Sequence, residues 1–473
     1  MQLMDLLDKD QKIQVKILVY FLRNEKTIKV KELAEQIDVS YPTLQKGIST
    51  LTHSLQDFDQ KAVLAKKNSD FLQLDLPNDF SVKKFLYTYL EQAINYNLLT
   101  DIYQEKEISI TKLAFKNNLS EASIFRRLKT INRLLAEFDL QFKNKKLYGS
   151  ELQIQFFYFQ LFKGAIPESH LKMLVTDPSI KNLMQVIEDH FHFQFNKRQN
   201  QLLSLRLHIL QRRLDYRQVP KQKIPVDMMK QLEQDPFYQE LKNIMTRFLS
   251  RFALSETEYE AVYLFLFFIS EGLLPQKSKW WKLSALVQYF LSINKKIYQI
   301  ITEEKGYDPT FAVFLLQNHI KIAFYNGEII FNEQRTLLLS DIDSQTMNQC
   351  MSVVEKKLSR DVSHAQWEML DHSYGLIWDI YQRRQQKELL VGVVDDESLQ
   401  AEETFRFIKQ SLAGMSHIIV EKAENRRYDL LIAFSHSDVQ EFDYKSLYLL
   451  TGTLSSFEEQ RLKQAAKAMI EGN

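Results

Sequence analysis

Lys31-Glu32-Leu33-Ala34 and the following Val39-Ser40 recur 80 residues later as Thr111-Lys112-Leu113-Ala114 and Leu119-Ser120. The register then continues: Leu44, Ile48, Leu51 and Leu55 fall opposite Ile124, Leu128, Ile131 and Leu135. An internal repeat of this kind constrains architecture before any single residue does. Each copy reads as a short amphipathic helix containing Leu-Ala, a turn, a serine cap and a longer helix. Ala34 and Ala114 are small where two helices would cross closely. Val39 and Leu119 are expected to plug the turn into the core. Ser40 and Ser120 are placed to accept backbone N–H groups at the start of the second helix. Leu44, Ile48, Leu51 and Leu55 are spaced i, i+4, i+7 and i+11, so they form one buried stripe. This is the pattern of two helix-turn-helix units.

In such a unit the opposite face of the second helix enters the major groove of duplex DNA. The first copy offers Tyr41, Thr43, Gln45, Lys46 and Thr50 there. The second offers Glu121, Ser123, Phe125, Arg126, Arg127 and Lys129. Arginine pairs with guanine or phosphate, and glutamine with adenine, through paired hydrogen bonds. A hairpin-like segment with a basic tip follows each copy, Lys66-Lys67-Asn68-Ser69 and Lys143-Asn144-Lys145-Lys146. Cationic wings of this sort lie along a phosphate strand. From Lys106 to Tyr148 there are 10 basic and 4 acidic residues, a local balance of +6 within a chain of net charge +1. Such concentration matters because phosphate neutralisation dominates nucleic-acid affinity. The competing reading is a pair of ordinary helical hairpins with solvated lysines. Two capped copies, each with its basic tip, favour double-stranded DNA as the partner.

Composition sets the frame. A chain of 473 residues exceeds one ordinary core, and domains of roughly 100–150 residues imply three to five. Only 11 Gly and 9 Pro argue for a mainly helical, multidomain protein, because loop-rich and all-β chains need those residues. The single cysteine, Cys350, excludes intramolecular disulfides and zinc–thiolate sites and suits a reducing cytosol. It reads as an inert buried residue. Met1-Gln2-Leu3-Met4-Asp5 lacks a secretory pattern, and the longest apolar stretch, Ala261 to Ile269, falls short of the roughly 18–20 residues of a membrane span. A cytoplasmic location away from membranes is expected. No Gly-rich phosphate loop, Ser-His-Asp set or catalytic carboxylate pair stands out, so no catalytic residues, enzymatic activity or cofactors are expected. His190 and His192 would point to different faces of a helix, which opposes a metal site. Trp280-Trp281 reads as packing at a domain edge.

From Phe156 to Gln386 the pattern is helical, with a second repeat offset by about 110 residues. Leu249-Ser250-Arg251 returns as Leu358-Ser359-Arg360, and Leu205-Arg206-Leu207-His208-Ile209 as Leu316-Gln317-Asn318-His319-Ile320. Capped helices are expected to start at Ser255-Glu256-Thr257-Glu258 and near Ser363-His364-Ala365-Gln366. After Glu388 the period changes. Apolar runs at Glu388–Val394, Ile418–Val420, Asp429–Phe434 and Leu447–Leu450 alternate with helical stretches at Glu402–Leu412 and Phe457–Ile470, which predicts a small α/β unit with a parallel sheet.

Two N-terminal helix-turn-helix units, two histidine-bearing helical repeats and a small C-terminal α/β unit resemble the Mga/AtxA family, virulence and global regulators of Gram-positive bacteria. The resemblance covers the chain in order. It implies a winged helix-turn-helix domain over residues 1–80 and an Mga-type helix-turn-helix domain over 81–155. It further implies PRD-like helical domains, regulated by the sugar phosphotransferase system, over 156–274 and 275–387, and an enzyme IIB-like α/β domain over 388–473. Also implied are transcriptional activation, a homodimer formed through the C-terminal half, and contact with phosphocarrier proteins. His208 and His319 match the histidine of the early helix in such PRDs and are the phosphorylation candidates. Tyr263-Leu264-Phe265 and Tyr374-Gly375-Leu376 stand in the later helices without a histidine. Val394-Asp395-Asp396-Glu397-Ser398 lacks the phosphorylated cysteine of enzyme IIB. Two rival functions are an RNA-binding antiterminator and a sugar phosphotransferase component. The duplicated helix-turn-helix opposes the first, and the missing cysteine the second.

Overall fold

The computed structural model describes all residues except 25–26, 68–69, 106, 175–176, 215–231, 253–257, 304–307, 331–341, 359–361, 386–387, 395–398, 416–417, 434–438, 452–454 and 472–473. The chain falls into two units, Met1–Gly375 and Leu376–Asn473. It is mainly helical, with a small sheet at its C-terminal end.

In the first unit, α1 (Lys9–Arg23) opens at Asp8, whose backbone N–H donates to Gln11 Oε1 at 3.0 Å. α1 packs on α3 (Tyr41–Phe58), with α2 (Val30–Gln36) beside them. Gly47 of α3 permits the close approach, since a Cβ there would lie 2.9 Å from Ile13 Cγ2 of α1. Leu44, Ile48, Leu51 and Leu55 are buried as one stripe. Strands β1 (Thr27–Lys29), β2 (Val63–Lys66) and β3 (Phe71–Asp75) form an antiparallel sheet in the order β1-β3-β2. Ile28, Leu64, Leu72 and Leu74 supply its buried side. Three helices plus this hairpin make a winged helix.

The second copy follows α4 (Val82–Gln92) and α5 (Ile94–Gln104). It consists of α6 (Ile110–Lys116), α7 (Glu121–Leu135) and the hairpin β4 (Gln141–Lys143) with β5 (Lys146–Tyr148). Asn144 and Lys145 turn this hairpin with φ of 49° and 66°, the two left-handed residues of a tight hairpin loop. α8 (Glu151–Ala165) then runs without interruption through residues 155 and 156.

The two copies share a detail beyond the sequence pattern. Asp38 and Asn118, 80 residues apart, both adopt left-handed backbone, with φ of 55° and 51°. Asp and Asn tolerate that region better than other side chains. The next residue closes each turn backwards: Val39 N–H donates to Ala34 O at 3.0 Å, and Leu119 N–H to Ala114 O at 2.9 Å, the wrap-around bond of a helix C-terminus. Val39 and Leu119 themselves are half-buried, and Ile37 fills the core beneath the first turn. The backbone geometry, rather than a hydrophobic plug, fixes the turn.

Beyond α8 the helices α9 (Glu168–Leu174), α10 (Pro178–Phe191) and α11 (Lys197–Leu214) are followed by helices at Pro236–Leu249 and Glu258–Ser270. Helices at Ala285–Thr302, Pro309–Phe324, Ser344–Leu358 and His364–Gln385 follow in turn. The capping box expected at Ser363 forms: its N–H donates to Gln366 Oε1 at 3.1 Å and its Oγ accepts from Gln366 N–H at 3.4 Å. The counterpart at Ser255 to Thr257, and Ser359-Arg360, lie outside the described residues. Trp280 is buried against Phe191, with ring centroids 5.3 Å apart. Cys350 is buried and its thiol is pushed up to about 12 by burial.

Buried ions tie α8 to the helices after it. Arg213 of α11 donates through Nε and Nη2 to Glu151 Oε1 and Oε2 at 3.0 and 2.9 Å, a paired geometry that fixes both side chains. Glu271 receives Lys163 of α8 at 2.6 Å and Lys321 at 3.0 Å. Burial alone would raise the Glu271 pKa, but Lys321 and Lys163 outweigh it and hold the carboxyl at about 2.

The second unit contains a fully parallel sheet of β6 (Leu389–Val393), β7 (Ile418–Lys422), β8 (Arg427–Ala433) and β9 (Asp443–Leu449) in the order β7-β6-β8-β9. Helices Leu399–Leu412 and Ser456–Glu471 place Ile408, Leu412, Leu462 and Ala466 against Leu389, Val391, Val393, Leu430 and Ile432. Gly392 of β6 lies under the Tyr428 ring, 2.7 Å from where a Cβ would stand. The stretch after β6 expected to lack the phosphorylated cysteine, 395–398, lies outside the described residues. The chain's one cysteine is in the helix Ser344–Leu358.

Candidate nucleic-acid interface

The exposed faces of α3 and α7 carry the residues expected to meet DNA. Tyr41, Lys46, Phe125, Arg126 and Lys129 are exposed, while Thr43, Gln45, Ser123 and Arg127 are half-buried. The helix starts differ in their caps. Ser120 Oγ accepts from Ser123 N–H at 3.2 Å, as expected. Ser40 instead pairs with the Thr43 hydroxyl at 2.8 Å and accepts no backbone N–H. In α7 the Ser123 hydroxyl also accepts from Arg126 Nη2 at 3.1 Å, which holds the guanidinium over the first turn.

The wings differ as well. Lys66 and Lys67 are exposed at the described side of the first wing tip, and Asn68-Ser69 lie outside the described residues. Lys143 and Lys145 are exposed in the second wing. Lys146 is half-buried and pairs with Glu107 at 2.9 Å; that hydrogen bond raises its pKa.

One arrangement was not legible in the sequence. Lys46 of α3 pairs with Asp10 Oδ2 at 2.7 Å, and Arg127 of α7 pairs with Asp8 Oδ1 at 2.5 Å. Both acids sit at the start of α1, two residues apart. The start of α1 therefore pairs with one cation from each of α3 and α7. The hydrogen bond from Lys46, and then its charge, lowers the Asp10 pKa.

The histidine candidates are in contrasting settings. His208 is half-buried on α11, and burial first, then Arg212, lowers its pKa against the opposing pull of Asp177. His319 has no exposed surface. Its Nδ1 pairs with Asn294 Oδ1 at 2.6 Å and its Nε2 with Tyr374 Oη at 2.7 Å, and burial holds its pKa at about 3. With both ring nitrogens bonded inside the core, a phosphodonor cannot reach His319 in this arrangement. The surface it would disturb is internal packing. His190 pairs with Glu240 at 2.9 Å, and no group of His, Cys, Asp and Glu among the described residues is arranged to hold a metal ion. No helix among the described residues is long and apolar enough to cross a membrane.

A duplicated, winged helix-turn-helix with exposed cations on α7 defines the class of helix-turn-helix DNA-binding proteins. Residues 78–162 match the Mga helix-turn-helix domain, and by this domain the chain is related to the Mga/AtxA-like family of regulators. Over 165 residues it is 21% identical to the capsule synthesis positive regulator AcpA of Bacillus anthracis. That alignment covers 34% of this chain and 34% of AcpA, so the match spans about a third of the relative's length.

Proposed function

We propose that this protein is a transcription regulator, an activator, that grips duplex DNA through both recognition helices at once. The observation that carries the reading is the bridge by Asp8 and Asp10. It brings a cation of α3 and a cation of α7 to the same turn of α1, so that both recognition helices present charge to one duplex once the carboxylates give way. Arg126, Lys129, Lys143, Lys145, Lys66 and Lys67 supply the exposed phosphate-neutralising charge. Arg127 and Lys46 join only when their carboxylates are displaced.

The regulatory part of the proposal rests on the resemblance. The helices from α9 to His364–Gln385 act as PRD-like domains that report sugar phosphotransferase status. His208 is the phosphorylation site and phosphocarrier proteins are the donors; the Arg212 guanidinium is the cation that would meet the phosphoryl charge. His319 serves the core. The parallel α/β unit is enzyme IIB-like and makes contacts rather than carrying phosphate. Self-association is through the C-terminal half, for which a symmetric dimer is the commonest form. Binding of the full chain to fluorescent genomic duplexes, followed over a salt series, tests the DNA reading. Phosphate incorporation into His208→Ala against wild type tests the second part.

A further inference from the structure

A cleft of about 670 Å³ opens between α4, α5, α8 and α11, where the Mga-type domain meets the first helices beyond it. Its volume lies within the roughly 300–1,000 Å³ of small-molecule sites. Its walls are aromatic. The Tyr87 ring lies 6.5 Å from Tyr96 and 5.4 Å from His170, and Tyr103 lies 4.9 Å from Phe162. Flat rings in such pairs offer faces for a further planar ring.

One edge of the cleft is different. His208 and Arg212, one helical turn apart on α11, both line it, and Arg212 Nη2 donates to Gln104 O at 2.8 Å. That bond anchors the guanidinium at the end of α5. Several polar groups on the opposite wall already have partners: Asn97 Nδ2 donates to Glu91 O at 2.9 Å, Thr100 Oγ1 to Tyr96 O at 3.0 Å, and the Tyr87 hydroxyl bonds to the Glu91 carboxylate. A planar apolar ring with one anionic end would find rings along its length and a guanidinium at its tip.

We propose that this cleft binds a small aromatic carboxylate, with its ring between Tyr87, Tyr96 and Phe162 and its carboxylate on Arg212. Arg212 is the specificity-determining residue, because guanidinium–carboxylate bonds are stronger than neutral ones. The cleft joins the end of α5, which leads into α6 and α7, to α11. A ligand that fills it therefore contacts the Mga-type domain through α4 and α5. That effector role rests on the regulator reading; the binding itself does not.

Calorimetric titration of the full chain with indole-3-acetate, and with its neutral counterpart indole-3-ethanol, tests the site without DNA. Indole-3-acetate is expected to bind saturably, with a Kd of about 1 mM or tighter for a ligand of this size. Indole-3-ethanol is expected to bind about tenfold more weakly, the loss of one charge-assisted contact. Arg212→Gln keeps an N–H donor for Gln104 O but removes the charge, so the two ligands should then bind alike. Tyr87→Ala should weaken both. No saturable binding of indole-3-acetate, or a preference for it that Arg212→Gln leaves intact, would overturn the proposal. A chain that binds the carboxylate but no DNA would remove the regulator reading and leave this site standing.

Discussion

Arg127 on the second recognition helix and Asp8 at the start of α1 are joined by an ion pair of 2.5 Å, across 119 residues of sequence. With its neighbour Lys46–Asp10 at 2.7 Å, it ties the start of α1 to both α3 and α7. It also gives each helix an internal carboxylate, which under the proposed function competes with phosphate for the same cation.

Removing those carboxylates is expected to strengthen DNA binding. Asp8→Asn keeps a good helix cap and releases Arg127; Asp10→Asn releases Lys46. Each released cation that reaches a phosphate steepens the slope of log affinity against log salt by about 0.9. Anisotropy titrations from low to moderate salt measure this. Weaker binding in both variants would mean that the bridge positions the helices more than it competes with DNA.

His319 is expected to link stability to pH. Its ring is neutral in the folded core, with a pKa of about 3, against roughly 6.5 when exposed. Below the unfolded value the unfolded chain binds the extra proton. The contribution is therefore fully present above pH ~6.5 and is lost as pH falls towards 3, by about 1.4 kcal/mol per pH unit, or roughly 2 kcal/mol at pH 5. Denaturant melts at pH 5 and 7.5 check it. In His319→Gln this part of the pH dependence should vanish. The variant should also be less stable at pH 7.5 by about 1–3 kcal/mol, because Asn294 or Tyr374 loses a buried partner.

Glu271→Gln is expected to cost about 3 kcal/mol, since it leaves Lys163 and Lys321 together without their carboxylate. Double replacement with Lys163→Met should recover part of the loss. Equal stability of wild type and the single variant at neutral pH would show that water screens both lysines.

Much of the fold was legible because it rests on periodicity. The stripe from Leu44 to Leu55 and its copy from Ile124 to Leu135 follow from a repeat of 3.6 residues, and the strands from β6 to β9 from short apolar runs alternating with helical stretches. The turn was legible only in part. Val39 and Leu119 were expected as plugs, whereas Asp38 and Asn118 hold the conformation, and the 80-residue spacing of two residues that tolerate positive φ was a usable signal. The bridge was not readable, because no pattern along one helix says which distant acid will face it. His319 could have been read better. Phe311-Ala312-Val313-Phe314-Leu315-Leu316 is apolar all round, and a helix of that kind is buried on every side. His208, on a helix with Arg206, Arg212 and Arg213, had no such signal against exposure.

The central claim is that α7 grips duplex DNA through charge held at its surface. The most direct measurement is the salt dependence of duplex binding by the full chain, wild type against Arg126→Ala/Lys129→Ala. Both side chains are exposed on α7, so the substitutions should leave the fold intact. The expected result is affinity that falls steeply with salt in the wild type, and a slope shallower by roughly two units in the double variant, with weaker binding at every salt concentration. Identical slopes and affinities for the two proteins would contradict it.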